Sequence, residues 1–482
     1  NKLAQPAMEF LRPGNLAEIV GQERAINALL AKMAAPFPQH ILIYGPPGVG
    51  KTTAARIVLD TVKKLSTGTF HKDAPFVEVD GTTLRWDPRD VTNPLLGSVH
   101  DPIYQGARRD LSDTGIPEPK LGLVTDAHAG VLFIDEIGEM DPMLLNKLLK
   151  VLEDKRVFFE SSYYDPHDSN VPQWIKKIFN DGAPADFVLI GATTRDPQEI
   201  NPALRSRCAE IFFEPLTPQD IQKIVCKAAE KLGVVLEPGV AGVISEYTIE
   251  GRKANNILSD AYGLALYQAD NKDSVVIREE HVYEVLRVAR LSPYVTQKAS
   301  QTYEVGKILG LGVAGFMGSV LEIEAEVFAD RNGKGTIRFN DTAGSMAKDS
   351  VFNAAAVIRR LAGKELHDFD LHINVVGGGR IDGPSAGLAI TLAIYSAMQK
   401  IPLRQDVAIT GEISIRGKVK AVGGVFEKIY GAKQAGVNTV LIPAENAKDV
   451  PTGLKGITVI PVNNIEEAMA YVFSEGVKSL VG

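Results

Sequence analysis

Gly45-Pro46-Pro47-Gly48-Val49-Gly50-Lys51-Thr52-Thr53 stands directly after the apolar run His40-Ile41-Leu42-Ile43-Tyr44 and directly before a helix-forming stretch. A strand, a glycine-rich turn ending in Lys-Thr and a helix make up the P-loop pattern, in the setting that gives it its mechanics. The backbone N–H groups of such a turn, together with the helix N-terminus, wrap phosphate oxygens. Lys51 is expected to neutralise the β- and γ-phosphates of ATP, and the Thr52 hydroxyl to ligate Mg2+. A chance glycine-rich turn does not account for a match of this length in this context.

Outward from the turn, short runs rich in Val, Ile and Phe alternate with helical patterns: Pro75–Asp80, Gly130–Glu136, Asp186–Thr193 and Glu210–Leu216. That alternation predicts a parallel sheet covered on both faces, an α/β nucleotide-binding domain over residues 1–216. The run Val131-Leu132-Phe133-Ile134 ends in Asp135-Glu136, which puts two acids at the carboxyl edge of the sheet, where phosphates bind. Asp135 is expected to hold the magnesium ion and Glu136 to polarise the attacking water. An acidic pair at a strand end is by itself more often the solvated start of a loop; after a P-loop the chemical reading is favoured.

Thr217-Pro218 has the form of an N-cap followed by proline at the first helical position, opening a helix that runs toward Gly233. Helical periodicity returns over Gly239–Ile249, Lys253–Ala269 and Arg278–Arg290, a small α-helical lid at 217–291, and Ser292-Pro293 begins a linker, 292–300. From residue 301 to 482 the composition changes to glycine-rich β segments with helices at Ala347–Leu361 and Pro384–Met398, a third domain.

With 482 residues, 45% of them hydrophobic, the chain is long enough for two or three domains with cores of their own. A net charge of -7 argues against coating nucleic acid by bulk attraction, and no specific nucleic-acid partner is expected. The two cysteines, Cys208 and Cys226, have no metal-ligand spacing and fit a reducing, cytoplasmic compartment. The longest apolar run, Leu388–Met398, is too short to span a bilayer. Since the chain opens on Asn1, any membrane anchor is expected only in a preceding segment.

Over its first three-fifths the chain resembles the AAA+ superfamily. On that resemblance Ile19-Val20-Gly21-Gln22 is the segment that packs on adenine, and Thr193 or Thr194 falls at the first sensor, with Thr194 the choice. Arg207, in Pro202-Ala-Leu-Arg205-Ser-Arg207-Cys208, is the arginine finger that reaches the γ-phosphate of a neighbouring subunit, with Arg205 its competitor. Arg252, in Gly251-Arg252-Lys253, is the second sensor. A surface salt bridge is the plainer reading of each arginine taken alone, and the shared order of the elements lifts them above it. A finger acting in trans requires head-to-tail contacts that close into a ring. The resemblance implies a homohexamer.

AAA+ modules drive many machines, so the third domain decides the function. Asp382-Gly383-Pro384-Ser385-Ala386-Gly387 lies between the strand-like Leu371–Val376 and an apolar helix, followed later by Thr410-Gly411-Glu412 and Val425-Phe426-Glu427-Lys428. Together these stretches closely resemble the peptidase domain of the Lon proteases, which uses a serine–lysine dyad. The fold implied is therefore an AAA+ parallel-sheet domain with a helical lid, followed by an α+β Lon-type peptidase domain. Ser385 is then the nucleophile, Lys428 the general base and Thr410 the residue that orients the lysine, and the substrates are unfolded or damaged proteins. A lysine ammonium removed from water loses affinity for its proton, and the neutral amine can accept the serine proton. Lys418 and Lys420 are by default exposed charges, and His372, with no acid partner in view, makes a Ser–His–Asp reading weaker.

The absence of a large region before the ATPase and of a membrane segment between P-loop and Asp135 resembles the LonB forms of spore-forming bacteria, which implies a part in protein quality control or sporulation. One departure is Gly377-Gly-Gly-Arg380-Ile381, where many Lon proteins carry a proline and a lysine. For the aromatic that grips polypeptide in the pore, Tyr104 and Trp86 are the candidates, and a core or interface role is about as good a reading of either. A nucleic-acid motor, or a remodelling ATPase with an inert third domain, would leave Ser385 and Lys428 unexplained.

Overall fold

The structure, a computed structural model, describes residues 7–65, 69–84, 93–101, 115–269, 275–293, 298–314, 317–329, 334–340, 345–376, 384–451, 454 and 456–473. These form two compact units, one from the described residues of Asn1–Leu216, Lys223–Leu236 and Glu250–Ile277, the other from those of Thr217–Gln222, Glu237–Ile249 and Arg278–Gly482.

The first unit is built on five parallel strands: β1 (His40–Tyr44), β2 (Phe76–Asp80), β3 (Val131–Asp135), β4 (Val188–Thr193) and β5 (Cys208–Phe212), in the order β2-β3-β4-β1-β5. The unbroken Val/Ile/Leu runs have their explanation here: in β1, β3 and β4 nearly every side chain is buried, because helices cover a parallel sheet on both faces. Parallel pairing brings all the strand ends to one edge, so Tyr44 lies beside Thr193 and Asp80 beside Asp135. Helix α1 (Lys51–Val62) begins there, behind Gly50.

The last strand of this sheet starts and stops earlier than the sequence run Glu210–Leu216. Register decides it: β5 pairs with β1 from Cys208 to Phe212, the Phe213 N–H closes on the Tyr44 carbonyl at 2.7 Å, and Pro215 has no N–H to continue the ladder. Helix α2 (Pro218–Leu232) opens as expected, with the Thr217 hydroxyl accepting from the Asp220 N–H while the Asp220 carboxylate accepts from the Thr217 N–H. Helix α3 (Gly251–Gln268) and the helices Val240–Tyr247 and Glu279–Val288 match the expected periodic segments to within a turn.

In the second unit a mixed seven-stranded sheet dominates: β6 (Lys307–Ala314), β7 (Met317–Ala329), β8 (Ile337–Phe339), β9 (Phe369–Val376), β10 (Val407–Ile409), β11 (Thr439–Pro443) and β12 (Thr458–Val462), ordered β8-β9-β7-β6-β10-β11-β12. Strand periodicity sends alternate residues to opposite faces. Ile308, Leu321 and Ile323 join the core under α4 (Ser345–Ala362) and α5 (Gly387–Gln399), and Leu309, Leu311 and Val320 join the one under α6 (Val425–Gln434).

The approach of α6 to β7 is backbone against backbone. A Cβ on Gly318 would fall 1.9 Å from the Glu427 carbonyl oxygen, and one on Gly431 would fall 2.4 Å from Gly318. Only hydrogen fits at either position. Gly318→Ala should therefore displace the helix that carries Lys428 and cost about 1–3 kcal/mol. Calorimetry should record a lower melting temperature for the second unit, with peptide cleavage lost and ATP turnover kept.

Candidate functional site

In the first unit Gly48, at φ +70°, brings its backbone so close to the start of α3 that a Cβ would lie 2.7 Å from Glu250, and its carbonyl accepts from the Gly251 N–H at 3.0 Å. The turn thus sits against the segment that presents Arg252. Lys51 is buried, and its ammonium donates to the Gly45 and Pro46 carbonyls at 2.7 and 2.9 Å. Burial pulls its pKa down to about 8, against the opposing pull of Glu136 and Asp135. The lysine is held inside the turn by neutral carbonyls, ready for an anion.

A cavity of about 780 Å³ opens beside the turn, lined among others by Ile19, Val20, Gly48, Val49, Gly50, Thr52, Thr53, Asp135 and Arg252. Gln22 fixes the Ile19–Gln22 segment: its side-chain amide donates to the Glu214 carbonyl at 2.8 Å and accepts from the Glu214 N–H at 3.0 Å. Lys227 and Lys231 of α2 donate to the carbonyls of Ala17 and Arg12, each at 2.8 Å, stapling the same stretch from the other side. Sequence reading missed these two lysines and the cavity-lining Glu78 and Asp80. Asp80 was within reach, since it closes its strand as Asp135 does; the lysines belong to an ordinary amphipathic helix and carry no signal.

Glu136 takes a left-handed backbone, φ 47° and ψ 49°, uncommon for a residue with a side chain and frequent where chemistry is done. Its carboxylate accepts from the Thr194 N–H at 3.2 Å and the Thr194 hydroxyl at 3.1 Å. Thr193 is fully buried and its hydroxyl accepts from the Arg195 N–H, so Thr194 is the threonine that touches Glu136. Both arginines of the Pro202–Cys208 stretch are paired, Arg205 with Glu210 and Arg207 with Glu153.

In the second unit Ser385 sits in a short 3-10 turn, Pro384–Ala386, that runs into α5. Two backbone bonds tie it to the end of β10: the Gly411 N–H donates to the Ser385 carbonyl at 2.9 Å, and the Leu388 N–H donates to the Gly411 carbonyl at 3.0 Å. Thr410, beside that junction, is fully buried, and its hydroxyl has no hydrogen-bond partner among the described residues. Lys428, one turn into α6, is 4% exposed. Burial takes its pKa down to about 8, opposed only by neighbouring Glu427.

Among the described residues neither the Ser385 hydroxyl nor the Lys428 ammonium has a side-chain hydrogen-bond partner, so the structure does not show the two in contact with each other. Lys418 and Lys420 are exposed, the latter paired with Glu445 at 3.5 Å. His372 is also exposed and packs edge-on against Phe328. Asp382, residues 377–381, Trp86 and Tyr104 lie outside the described residues.

Residues 41–216 match the ATPase family associated with various cellular activities, and residues 276–475 match the Lon protease (S16) C-terminal proteolytic domain. Lon protease 2 of Bacillus subtilis is 45% identical to the chain, over 97% of the chain and 86% of that protein. The chain belongs to the Lon protease family. Archaeal Lon proteases from Archaeoglobus fulgidus and Thermococcus kodakarensis are 32% and 30% identical over 80% and 84% of the chain. A Lon protease couples an AAA ATPase to an S16 peptidase, so this one is a nucleotide-binding, ATP-dependent serine protease. Nothing in these matches favours a nucleic-acid motor. Among the described residues no helix is long and apolar enough to cross a membrane.

The Thr194–Glu136 contact makes a prediction for this Lon. Thr194→Val removes the hydroxyl and keeps the shape, so kcat for ATP should fall about tenfold, the size of one hydrogen bond to a charged group. Nucleotide affinity should be unchanged. Steady-state ATPase kinetics beside binding of a non-hydrolysable analogue measures both.

Proposed function

We propose that this Lon cleaves peptide bonds with Ser385 as nucleophile and Lys428 as general base, inside a homohexameric ring driven by ATP. The observation that carries this reading is Lys428 itself, a lysine enclosed among the apolar residues of α6 and its sheet and pulled down to about 8. At neutral pH a useful share of such an amine is unprotonated. It takes the proton from the Ser385 hydroxyl as the oxygen bonds to the scissile carbonyl carbon, then returns it to the departing amine as the peptide C–N bond breaks. Thr410 supplies a buried hydroxyl to orient the amine. The N–H groups of the 3-10 turn and the first turn of α5 stabilise the oxyanion, except that of Leu388, already engaged with Gly411.

In the ATPase unit Lys51 meets the β- and γ-phosphates, Ile19 and Val20 pack on the adenine, and Glu136 orients the attacking water under the control of Thr194. Thr52 and Asp135 both line the cavity, a hydroxyl and one carboxylate, a donor set that suits Mg2+ shared with phosphate oxygens. Arg252 acts in cis, since it lines the same cavity. Arg207 acts in trans, and Glu153, its only carboxylate partner among the described residues, is half-exposed and easily exchanged for a phosphate. The functional division is an ATPase domain at 1–216, a lid at 217–291, a linker at 292–300 and a peptidase domain at 301–482. Two free cysteines suit the cytoplasm.

The two chemistries should separate by residue. Ser385→Ala and Lys428→Ala should keep ATP turnover and lose peptide cleavage at least a thousandfold, the order lost with a nucleophile or its base. Lys51→Ala should lose degradation of folded proteins and still cleave short unstructured peptides. A Lys428→Ala enzyme that cleaves at the wild-type rate rules out the dyad.

The pH dependence follows from the lysine. The active form is the neutral amine, so kcat/KM for a short peptide should rise about tenfold per pH unit below 8 and level off above it. Lys428→Arg should be inactive at every pH, because a guanidinium does not give up its proton. The same burial costs stability: the depressed pKa disfavours the fold most below pH 8, and the penalty fades as pH rises toward the lysine's ordinary value. Lys428→Met should therefore melt higher than the wild type at pH 7, while losing all peptidase activity.

A further inference from the structure

Arg205 and Arg207 keep different company. Arg207 donates to the Ala203 carbonyl of its own turn at 2.7 Å and meets Glu153, whose side chain is 51% exposed. Arg205 grips one carboxylate with two nitrogens: Nε donates to Glu210 Oε1 at 2.7 Å and Nη2 to Oε2 at 3.3 Å. The same Oε1 also accepts from the Tyr44 hydroxyl at 2.8 Å. Tyr44 has no exposed surface, and its ring stacks on Phe212 with centroids 4.9 Å apart.

The register explains why these groups meet. Leu42 lies opposite Glu210 and Tyr44 opposite Phe212, so Tyr44, Glu210 and Phe212 share one face of the β1–β5 pair. Tyr44 is the last residue of β1 and the next residue opens the P-loop, while β5 begins at the residue after Arg207. A carboxylate accepting three hydrogen bonds thus joins the strand that feeds the phosphate turn to the short helix Pro202–Arg205. Withdrawing Arg205 toward a phosphate would strip a forked partner from Glu210 and disturb a buried tyrosine, which costs far more than releasing Arg207 from an exposed glutamate.

We propose that Tyr44, Glu210 and Arg205 are positioning residues that lock the Pro202–Arg207 segment to the P-loop strand, so that Arg207 is held out for the nucleotide of the adjoining subunit. This rests on Arg207 acting in trans. The network works on the neighbour's active site and not on the subunit's own. Arg205 is the brace and Arg207 the tip.

Mixed oligomers separate these possibilities. Glu210→Ala should lower kcat for ATP about ten- to hundredfold, the cost of a misplaced catalytic group, with binding of a non-hydrolysable analogue unchanged. Its own P-loop and Glu136 are intact, whereas a Glu136→Gln subunit keeps an intact finger. An equal mixture of the two variants, dissociated and reassembled, should turn over ATP faster than either parent. Arg207→Ala mixed with Glu136→Gln is the control and should recover in the same way. If the control recovers and the Glu210→Ala mixture does not, the network serves its own P-loop and the proposal falls alone. If neither recovers, the trans reading of Arg207 falls and takes the proposal with it. Tyr44→Phe keeps the ring stack and removes only the hydroxyl, so it carries the test should Glu210→Ala fail to fold. A smaller loss of kcat that recovers in the mixture is expected, and wild-type turnover in that variant overturns the brace.

Discussion

Taking a lysine ammonium out of water is costly, and among the described residues this chain does it twice. Lys51 and Lys428 are both buried and both drawn down to about 8, yet their surroundings give the same penalty opposite uses. Lys51 is wrapped by two carbonyls with Asp135 and Glu136 near, a cage that favours the cation until phosphate arrives. Lys428 stands on a helix whose neighbouring residues Val425 and Ile429 belong to an apolar core, which favours the neutral amine. On the proposed reading one lysine serves as a charge and the other as a base, and what distinguishes them is the company each keeps, carbonyls and acids around Lys51 and apolar neighbours beside Lys428.

Each burial depends on a scaffold able to hold it. In the ATPase unit, parallel pairing aligns the strand ends and so gathers Tyr44, Asp80, Asp135 and Thr193 along one edge, with the P-loop following the first of them. In the peptidase unit the lysine-bearing helix is pressed to β7 through Gly318 and Gly431, closer than any side chain permits. Ser385 is anchored separately, by the bonds between Gly411 and the start of α5. Ser385 and Lys428, the proposed nucleophile and base, thus ride on different elements packed on one sheet, each held by backbone contacts.

The arginines of the finger segment illustrate how polar networks divide labour. A forked pair that shares its acceptor with a buried tyrosine gives stiffness, whereas an arginine on a half-exposed glutamate remains exchangeable. Arg205 is thereby held and Arg207 left exchangeable, which suits the proposed role of Arg207 as a cation that must be aimed and also able to let go.

Much of this was legible in the amino-acid order. The P-loop and the acids that end β3 are contiguous signatures whose chemistry follows from residue type and from the strand or helix they adjoin, whereas the serine turn and Lys428 stand out through their resemblance to the Lon peptidase domain. Helical periodicity likewise located the helices it proposed to within a turn, while most strands of the second sheet are legible only as glycine-rich β segments. What the order left open depends on contacts between residues far apart in the chain. Thr194 is set apart from Thr193 by its bonds to Glu136, 58 residues away, and Arg205 from Arg207 by a glutamate that also holds Tyr44, 166 residues from it. Lys428 is set apart from Lys418 and Lys420 by its burial, and the last ATPase strand stops at Phe212, where β1 ends beside it. Residue type sets what a group can do; its solvation and its partner across the sheet, which decide what it does do, exist only once the chain has folded.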